Sequence, residues 1–387
     1  MIAVAATAVC LGVAGLVAFL ALECLLGTAG RDGTGVQDDP PAYTVLMPAH
    51  DEARGIARAI DAVMAQLRAC DSLLVVADNC SDDTAAVARS LGATVIERFD
   101  PDFRGKGHAL EFGRAYLQGQ ADNAATGEVV IIVDADCIAM PGALARLAAT
   151  PDRVVQGAYL LESRADASAK VRISCFAFMI KNQVRQRALY RLAGVALLQG
   201  SGMAFPRRVF DRVQWKTDSL VEDLDMGLDL VLTGERVTFD GSALFLSDAS
   251  SESGTAGQRQ RWEHGMLHSM VSYVPALFRQ ALSSSGRLAF VGLDLMIPPT
   301  VMLIATALVV LMAGVAILGP TFPVLALLLS LLLLGTGLMR AWHVHGRQIL
   351  PLRSLLELPA YMVWKLPIIT RFFTHREKQW IRTERES

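Results

Sequence analysis

The chain has 387 residues, of which 52% are hydrophobic and 19% charged, and its 36 Lys and Arg nearly balance 38 Asp and Glu. A mean hydropathy of +0.37 is too high for an ordinary soluble enzyme, yet the charged fraction is too high for a protein buried throughout in a membrane. The formal net charge of −2 also predicts no nucleic-acid partner. We therefore expect a soluble domain joined to membrane segments.

An apolar run at the start of the chain, residues 2–26, contains a single charged residue, Glu23. At about 1.5 Å per helical residue, it is long enough to cross a hydrocarbon core of about 30 Å. A cleaved signal peptide is the alternative, but no Lys or Arg precedes Arg31, and the run exceeds the roughly 7–15 apolar residues of such peptides. We expect a retained transmembrane helix over residues 1–27.

Glycines and prolines in residues 28–42 indicate a linker. After it, short apolar strands alternate with helical segments, a pattern that predicts a parallel sheet wound right-handedly. The predicted strands cover 43–47, 73–77, 94–97 and 128–133, and the predicted helices cover 53–68 and 84–91, the latter capped by Ser81 or Asp82. We assign residues 43–250 to this α/β domain.

The most strand-like run, 128–133, ends in Asp134-Ala135-Asp136. Two carboxylates at the end of a buried strand are costly unless a positive group lies between them and their ligand. A divalent cation meets that need, and hard oxygen ligands suit Mg²⁺ or Mn²⁺, which keep part of their coordination shell for substrate phosphates. The pair therefore predicts a Mg²⁺ or Mn²⁺ site.

Polar strings recur in a fixed order where apolar runs stop, which is where a parallel sheet presents residues to a ligand. They read VLMPAHDEA, VVADNCSDDT, VDADC, VEDLD and QRQRW along residues 45–262. In this order and spacing, residues 43–262 resemble the family 2 glycosyltransferases, membrane-bound synthases of cellulose, hyaluronan and poly-N-acetylglucosamine among them. The resemblance implies a GT-A fold, which is Rossmann-like with a mostly parallel sheet.

The resemblance also implies a nucleotide-sugar site. Residues Pro48, His50 and Glu52 at the first strand end would lie against the nucleotide. At the second strand end the family usually has two adjacent Asp residues, and here only Asp78 matches, as a contact to base or ribose. In the basic loop at 104–107, Lys106 would offer its charge to phosphate or base.

The remaining motifs imply the chemistry of transfer. Asp136 and Asp134 match the metal-binding DxD, with Asp134 touching ribose or metal. Asp223 in VEDLD would be the general base, because an acceptor hydroxyl must lose its proton as it attacks the anomeric carbon. In-line attack would invert that carbon. Glu222, Asp223 and Asp225 are close together in the sequence, and their mutual repulsion should raise the pKa of one carboxyl group towards neutrality. Glu222 and Gly202 would lie near the acceptor.

The string at 258–262 matches QxxRW, a motif prominent in processive synthases of the family. Arg261 can bind the diphosphate through its planar guanidinium group, and Trp262 can stack on the face of an acceptor sugar. Gln258 would also contact the acceptor.

The rest of the chain carries further membrane signals. Residues 251–287 include an amphipathic stretch at 266–282 that predicts an interfacial helix. The apolar block within 288–340 is interrupted at 319–323, which predicts a transmembrane hairpin, and core helices of a soluble protein are the alternative reading. Residues 341–387 predict an amphipathic tail.

Basic residues flank the predicted spans at Arg31, Arg279, Arg287, Arg340, Arg347 and Arg353. By the positive-inside rule, the catalytic domain and the tail would be cytoplasmic, in a multi-pass protein of the plasma (inner) membrane. The six Cys show no CxxC pattern, so we expect reduced thiols rather than disulfides or a zinc site.

We therefore expect a membrane-anchored inverting glycosyltransferase. It would move a sugar from a nucleotide-diphosphate donor, by expectation a UDP-sugar, to a lipid-linked or growing glycan acceptor in bacterial surface or exopolysaccharide synthesis. A processive polysaccharide synthase is the main alternative. Three spans are few for a translocation channel, so repeated addition would need an exporter or oligomer partner. A nucleotidyltransferase and an inactive membrane scaffold are the alternatives from other classes.

Overall fold

A computed structural model describes residues 1–29, 39–120, 127–215, 219, 221–249, 252–358 and 360–361, with the backbone alone described at 252–264. Internal contacts divide the chain into two units. We call residues Arg31–Glu162, Val195–Ala249 and Gln379–Ser387 the sheet unit. We call residues Met1–Gly30, Ser163–Gly194 and Ser250–Lys378 the helical unit.

The sheet unit is built on one eight-stranded sheet in the order β3-β2-β1-β4-β7-β6-β8-β5. Its strands are β1 (Tyr43–Ala49), β2 (Ser72–Asp78), β3 (Thr94–Arg98), β4 (Val129–Ile132), β5 (Cys137–Ala139), β6 (Val154–Glu162), β7 (Met203–Pro206) and β8 (Val237–Asp248). Strands β3, β2, β1 and β4 are parallel neighbours, whereas β7 pairs antiparallel with both β4 and β6. Strand β8 pairs parallel with β6 and antiparallel with β5. The predicted α/β class is confirmed, and the sheet is mixed.

Helices of the sheet unit connect these strands. They are α2 (Ile56–Met64), α3 (Thr84–Ser90), α4 (Lys106–Gly119), α5 (Ala143–Ala148), α8 (Arg207–Phe210) and α9 (Glu222–Leu232). The helix predicted at 53–68 is therefore shorter in the structure at both ends, because it begins at Ile56 and ends at Met64. The N-cap residue of α3 is Asp83 and not Ser81 or Asp82 as predicted, although Asp82 accepts the Thr84 N–H at 3.0 Å; the Ser81 N–H donates to Asp51.

Strand β1 runs two residues past its predicted end and is buried along its whole length. It includes Pro48, which lacks a backbone N–H and is unusual inside a central strand. Pro48 lies opposite Val76 of β2, but the pairing of β1 with β4 has already stopped at Leu46. The missing donor therefore costs no ladder bond on the β4 side, and the strand can extend as far as Ala49.

The helical unit contains α1 (Ile2–Gly27), α6 (Ala169–Met179), α7 (Gln186–Ala193), α10 (Glu252–Ser283), α11 (Leu288–Met296), α12 (Thr300–Leu318) and α13 (Phe322–Ala341). A π-helical turn, Ile180–Arg185, joins α6 to α7. The chain continues from α13 into the π-helical turn Trp342–Gly346 and a 3₁₀ turn at Leu352–Glu357. The stretch predicted as an interfacial helix is the last part of the longer α10.

Three described helices are long and apolar enough to cross a membrane: Ile2–Gly27, Thr300–Leu318 and Phe322–Gly346. Two of them pack on α1 through glycines. A Cβ at Gly314 of α12 would lie 2.9 Å from Cys10 Sγ, and one at Gly337 of α13 would lie 2.8 Å from Cys24 Cβ. Small residues allow such close approach of membrane helices, whose association gains little from the hydrophobic effect. The apolar block predicted to form a hairpin contains a further helix, α11, which ends before two consecutive prolines.

Glu23, Arg185 and Asp294 form a buried polar triad in the helical unit. Arg185 Nε donates to Glu23 Oε2 at 3.1 Å, and Arg185 Nη2 donates to Asp294 Oδ1 at 2.8 Å. The three residues come from α1, the π-helical turn and α11. Because a buried charge is costly without its partner, the triad ties these segments in one arrangement.

Candidate active site

The carboxyl ends of β1, β2 and β4 lie side by side, and their polar residues therefore border one crevice. Strand β1 lies between β2 and β4, so the chain leaves β1 in one direction to form β2 and returns on the other side as β4. Ligands of open α/β sheets bind at such a switch point. Neighbouring strands are about 4.8 Å apart, so we expect Asp78, at the end of β2, and Asp134, beyond the end of β4, to lie on the order of 10 Å from each other.

Lys106 lies at the centre of the acidic part of this crevice. As the first residue of α4, it places its Nζ 2.5 Å from Asp134 Oδ1 and donates to the Gly200 carbonyl at 2.6 Å. Burial acts to lower the Lys106 pKa, but the carboxylates of Asp134 and Glu222 outweigh it and raise that pKa. Lys106 therefore stays a cation within the cluster.

The first turn of α9 supplies two further carboxyl groups, Glu222 and Asp223. Carboxylates are favoured at a helix N-terminus, where the backbone N–H groups carry partial positive charge. Burial raises the pKa of Glu222 to about 7, and repulsion from Asp223 adds to this while Lys106 opposes it. The prediction that clustering raises one carboxyl pKa towards neutrality agrees with this shift. Asp225 points elsewhere and accepts a hydrogen bond from Ser219 Oγ at 2.7 Å.

The loop at 199–202 forms the opposite wall of the cluster and is held through its backbone. Gln156 Nε2 donates to the Ser201 carbonyl at 2.9 Å, and Gln156 Oε1 accepts the Gln199 N–H at 2.9 Å. Ser201 Oγ in turn accepts the Asp134 N–H at 3.1 Å. Gly202 has φ +66°, and a Cβ there would overlap the Phe245 ring. This position therefore requires glycine on grounds of conformation and of space.

Residues at the ends of β1 and β2 bind each other as well as lining the crevice. His50 Nδ1 donates to the Asp78 carbonyl at 2.7 Å, and the Glu52 N–H donates to Thr84 Oγ1 at 2.8 Å. Asp51 and Asn79 have positive φ, of +53° and +51°. Non-glycine residues in this region are uncommon, and they occur at functional sites where the surrounding structure imposes them.

The donor set at the acidic cluster fits a divalent metal ion. Asp134 and Asp136 are both partly exposed and lie on the turn that follows β4, which the Cys137 N–H closes by donating to the Asp134 carbonyl at 2.9 Å. Asp134, Glu222 and Asp223 bring three carboxyl groups against the cation of Lys106. Burial is the main cause of the raised Glu222 pKa, and repulsion from Asp223 and Asp134 adds to it. Hard oxygen donors in excess of local positive charge are the environment that Mg²⁺ and Mn²⁺ prefer.

A second group of described residues, Asp51, Cys80 and Asp82, has ligand atoms close enough together for a metal. Its oxygens are already engaged, because Asp51 Oδ1 accepts the Ser81 N–H and Asp82 accepts the N–H groups of Ala53 and Thr84. Burial raises the pKa of the Cys80 thiol, which disfavours the thiolate form that binds metals. Asp134 and Asp136 are therefore the residues at this edge of the sheet that could hold a metal.

A family model described as glycosyltransferase like family 2 matches residues 40–265, more than half of the chain. The chain belongs to this family. The transferase is 39% identical over 102 residues to the low-salt glycan biosynthesis hexosyltransferase Agl6 of Haloferax volcanii. It is 34% identical over 95 residues to the 4,4'-diaponeurosporenoate glycosyltransferase of Staphylococcus aureus. These matches cover 26% and 24% of the transferase, and they span only 22% and 24% of the relatives' own lengths.

Among solved structures, the transferase is similar to the mannosyltransferase PcManGT from Pyrobaculum calidifontis, determined in complex with GDP-Man and Mn²⁺. The likeness covers 97% of the transferase and 99% of that chain, with a TM-score of 0.57 and 20% sequence identity. It confirms the GT-A fold.

The structure brings together Lys106, Asp134, Glu222 and Asp223 with the backbone of Gly200, and the predicted Gly202 lies two residues further along the same loop, against Phe245. Three predicted residues, Gln258, Arg261 and Trp262, belong to α10. The structure describes only their backbone, so the predictions for their side chains lie outside the described part of the transferase. Sequence reasoning missed Gln156, which holds the 199–202 loop, and Arg98, whose guanidinium contacts Asp78 at 2.7 Å. Neither residue belongs to a short motif, and only the position of Arg98 at the end of a predicted strand could have drawn attention to it.

Proposed function

We propose that the transferase moves a sugar from a nucleoside-diphosphate donor, a UDP-sugar, to a lipid-linked or growing glycan acceptor with inversion at the anomeric carbon. The observation that carries the proposal is the acidic cluster around Lys106 at the carboxyl edge of the sheet, in a chain of this family. The cation and the strand-end carboxylates suit the binding of a diphosphate and its metal ion. The carboxylate at the start of α9 suits the deprotonation of a hydroxyl group.

Asp223 is the residue that we assign as general base. It accepts the proton of the acceptor hydroxyl as that oxygen attacks the anomeric carbon. Glu222, with a pKa near 7, contacts the acceptor and is better suited to share a proton than to stay ionised. Lys106 holds its charge against the diphosphate and leaves Asp134 when the donor enters. Asp136 and Asp134 would hold Mg²⁺ or Mn²⁺, which stabilises the negative charge of the diphosphate leaving group.

The nucleotide is held at the other end of the crevice. Pro48, His50 and Glu52, at the end of β1, lie against the nucleotide, and Asp78 contacts its base. Arg261 is assigned to the diphosphate. Gln258, Trp262 and the Gly202 turn are assigned to the acceptor.

The three apolar helices and the flanking basic residues support a membrane setting. We place the sheet unit and the tail on the cytoplasmic side of a bacterial plasma membrane, where nucleotide sugars and lipid-linked acceptors are both accessible. Surface or exopolysaccharide assembly is the process that we propose. Three spans favour single or limited transfer over processive synthesis.

The test is the release of nucleoside diphosphate from a panel of nucleotide sugars. Detergent-purified protein would be supplied with Mn²⁺ and a bacterial lipid extract, beside Asp136→Ala and, as a matched control on the same helix as the base, Asp229→Asn. We expect release from one donor by the wild type and by Asp229→Asn, and none by Asp136→Ala. Release of pyrophosphate instead would indicate a nucleotidyltransferase, and a folded wild type that binds no nucleotide would refute the proposal.

A further inference from the structure

Three arginines of the helical unit bind oxygen atoms at the end of α1, and we call them the arginine cluster: Arg187, Arg191 and Arg340. Arg187 Nη1 donates to the Gly27 carbonyl at 2.9 Å, and Arg340 Nε donates to Thr28 Oγ1 at 3.0 Å. Arg191 Nη1 donates to the Leu26 carbonyl. Because these three acceptors belong to consecutive residues, the three guanidinium groups lie close together at one helix end.

A close backbone contact brings the first two arginines to α1. A Cβ at Gly27 would lie 1.9 Å from the Val184 carbonyl oxygen, so glycine is needed for α1 to pack on the π-helical turn Ile180–Arg185. Helix α7 begins directly after that turn, and Arg187 and Arg191 lie four residues apart on one of its faces. Such π-helical turns are rare and are frequent at functional sites.

The arginine cluster carries more positive charge than its surroundings neutralise. The end of α1 supplies about half a negative charge. The buried polar triad adds at most one net negative charge, because its two carboxylates are paired with Arg185. Among the described residues, neither Arg191 nor Arg340 forms an ion pair with Asp or Glu. Capping of α1 therefore does not account for three guanidinium groups, and like charges at this separation favour an anion beside them.

The position of the arginine cluster indicates which anion fits. Helices α1 and α13 are two of the three that are long and apolar enough to cross a membrane, and the cluster lies at their common end. In a membrane, this end would lie at the level of the lipid head groups. Trp342, two residues beyond Arg340, is typical of that level, and its Nε1 donates to the Leu350 carbonyl at 2.7 Å. Phosphate is the anion of the head groups, and the planar guanidinium group matches its oxygens.

We propose that the arginine cluster binds the phosphate group of a membrane lipid. This inference rests on the membrane setting proposed above. Arg191 and Arg340 are both exposed, and each donates one hydrogen bond to α1, which leaves further N–H groups of its guanidinium for the phosphate oxygens. Basic sites between apolar helices bind lipid head groups in this way. The phosphate belongs either to an anionic bulk lipid or to a lipid-linked acceptor, and the experiment separates the two sources.

Native mass spectrometry of the full-length, detergent-purified protein measures the dissociation constants of phosphatidylglycerol, a polyprenyl phosphate, diacylglycerol and inorganic phosphate. We expect the wild type to bind a phosphate-bearing lipid at least about tenfold more tightly than diacylglycerol or inorganic phosphate. Tighter binding of the polyprenyl phosphate would identify the acceptor lipid as the source, and tighter binding of phosphatidylglycerol would identify the bulk lipid.

A double variant, Arg191→Gln with Arg340→Gln, removes two charges while its amide groups can still donate to the oxygens of α1. We expect its lipid affinity to fall roughly 30-fold, since each arginine near a membrane surface contributes about a factor of five. Arg172→Gln is the matched control and should bind lipid like the wild type. Arg172 is another arginine of the helical unit, and it too donates to backbone carbonyls, those of Ala165 and Ala167.

Equal binding of diacylglycerol and the phosphate-bearing lipids by the wild type would overturn the inference, and this measurement needs no variant to fold. Inorganic phosphate that binds as tightly as the lipids would also overturn it, as would wild-type lipid affinity in a folded double variant. Removal of the wild type from membranes by alkaline carbonate would instead reject the proposed membrane setting, and so the two failures are distinguishable.

Discussion

Replacing Lys106 by Met would test whether this side chain neutralises the acidic cluster before a donor binds. Its Nζ lies 2.5 Å from Asp134 Oδ1 and 2.6 Å from the Gly200 carbonyl oxygen, and the surrounding carboxylates raise its pKa. Met has a similar length and no charge. The variant would therefore leave Asp134 beside Glu222 and Asp223 without the cation.

Removing one partner of a buried ion pair costs about 3–5 kcal/mol. The two side chains are 21% and 23% exposed, so solvent screening places the expected loss near the lower end, about 3 kcal/mol. For a unit of this size, that loss lowers the melting temperature by roughly 6–12 °C. Circular dichroism of the detergent-purified protein in the presence of EDTA measures this change.

Mn²⁺ should stabilise the Lys106→Met variant more than it stabilises the wild type. In Lys106→Met the carboxylate of Asp134 is no longer occupied by Nζ, so the variant should bind Mn²⁺ more tightly than the wild type in the absence of nucleotide. The ion should therefore raise the variant's melting temperature more. Lys181→Met, at an exposed position, is the matched control and should behave as the wild type. An unchanged melting temperature in EDTA, or equal stabilisation by Mn²⁺, would refute this reasoning.

Three further changes test other parts of the structure by thermal unfolding. Gly202→Ala places a side chain at positive φ and against the Phe245 ring, and it should lower the free energy of unfolding by about 2–5 kcal/mol. The control Gly234→Ala, with φ +86° and no atom within 4 Å, should lower it by only about 1–2 kcal/mol. Equal losses in the two variants would contradict the steric argument. Glu222, whose folded pKa of about 7 lies above its unfolded value, contributes stability that is present below about pH 4.5 and lost as the pH rises to about 7. Without metal the loss is roughly 3 kcal/mol, and Glu222→Gln should abolish the slope; a slope that persists would exclude this carboxyl group. Arg185→Met removes the cation of the buried polar triad and should destabilise the protein by about 3–5 kcal/mol, and an unchanged melting temperature would show that the triad does not secure α1.

The parallel half of the sheet could be predicted from the sequence because its apolar runs are short and stop abruptly, at Pro48, Asp78 and Asp134. The run at 128–133 contains β4, and Asp134 and Asp136 follow it as expected. The antiparallel half was less accessible. Strand β5 has only three residues, too few for a periodic signal, and its pairing with β8 joins segments about a hundred residues apart. Such pairing is decided by tertiary packing and not by local pattern.

The motif residues of the site were predictable, but their mutual contacts were not. Lys106 was expected near the nucleotide, and nothing in the string RGKG indicates that its ammonium group lies on Asp134. Similarly, Asp78 was predicted to follow a strand and in the structure is that strand's last residue, whereas its pairing with Arg98 depends on how β3 is placed beside β2. Sequence spacing therefore identifies the groups that face the crevice, and the fold determines which of their hydrogen-bonding positions stay open.

Comparing nucleotide binding with sugar transfer in Asp223→Asn tests the proposed chemistry most directly. The wild type, Asp223→Asn and the control Asp229→Asn would be assayed with the preferred donor, Mn²⁺ and lipid extract, and the dissociation constant of the free nucleotide would be measured on the same preparations. We predict that Asp223→Asn binds nucleotide like the wild type but loses transfer by at least roughly a hundredfold, as expected for removal of a general base. Transfer at the wild-type rate by a folded Asp223→Asn protein would contradict the assignment of the base.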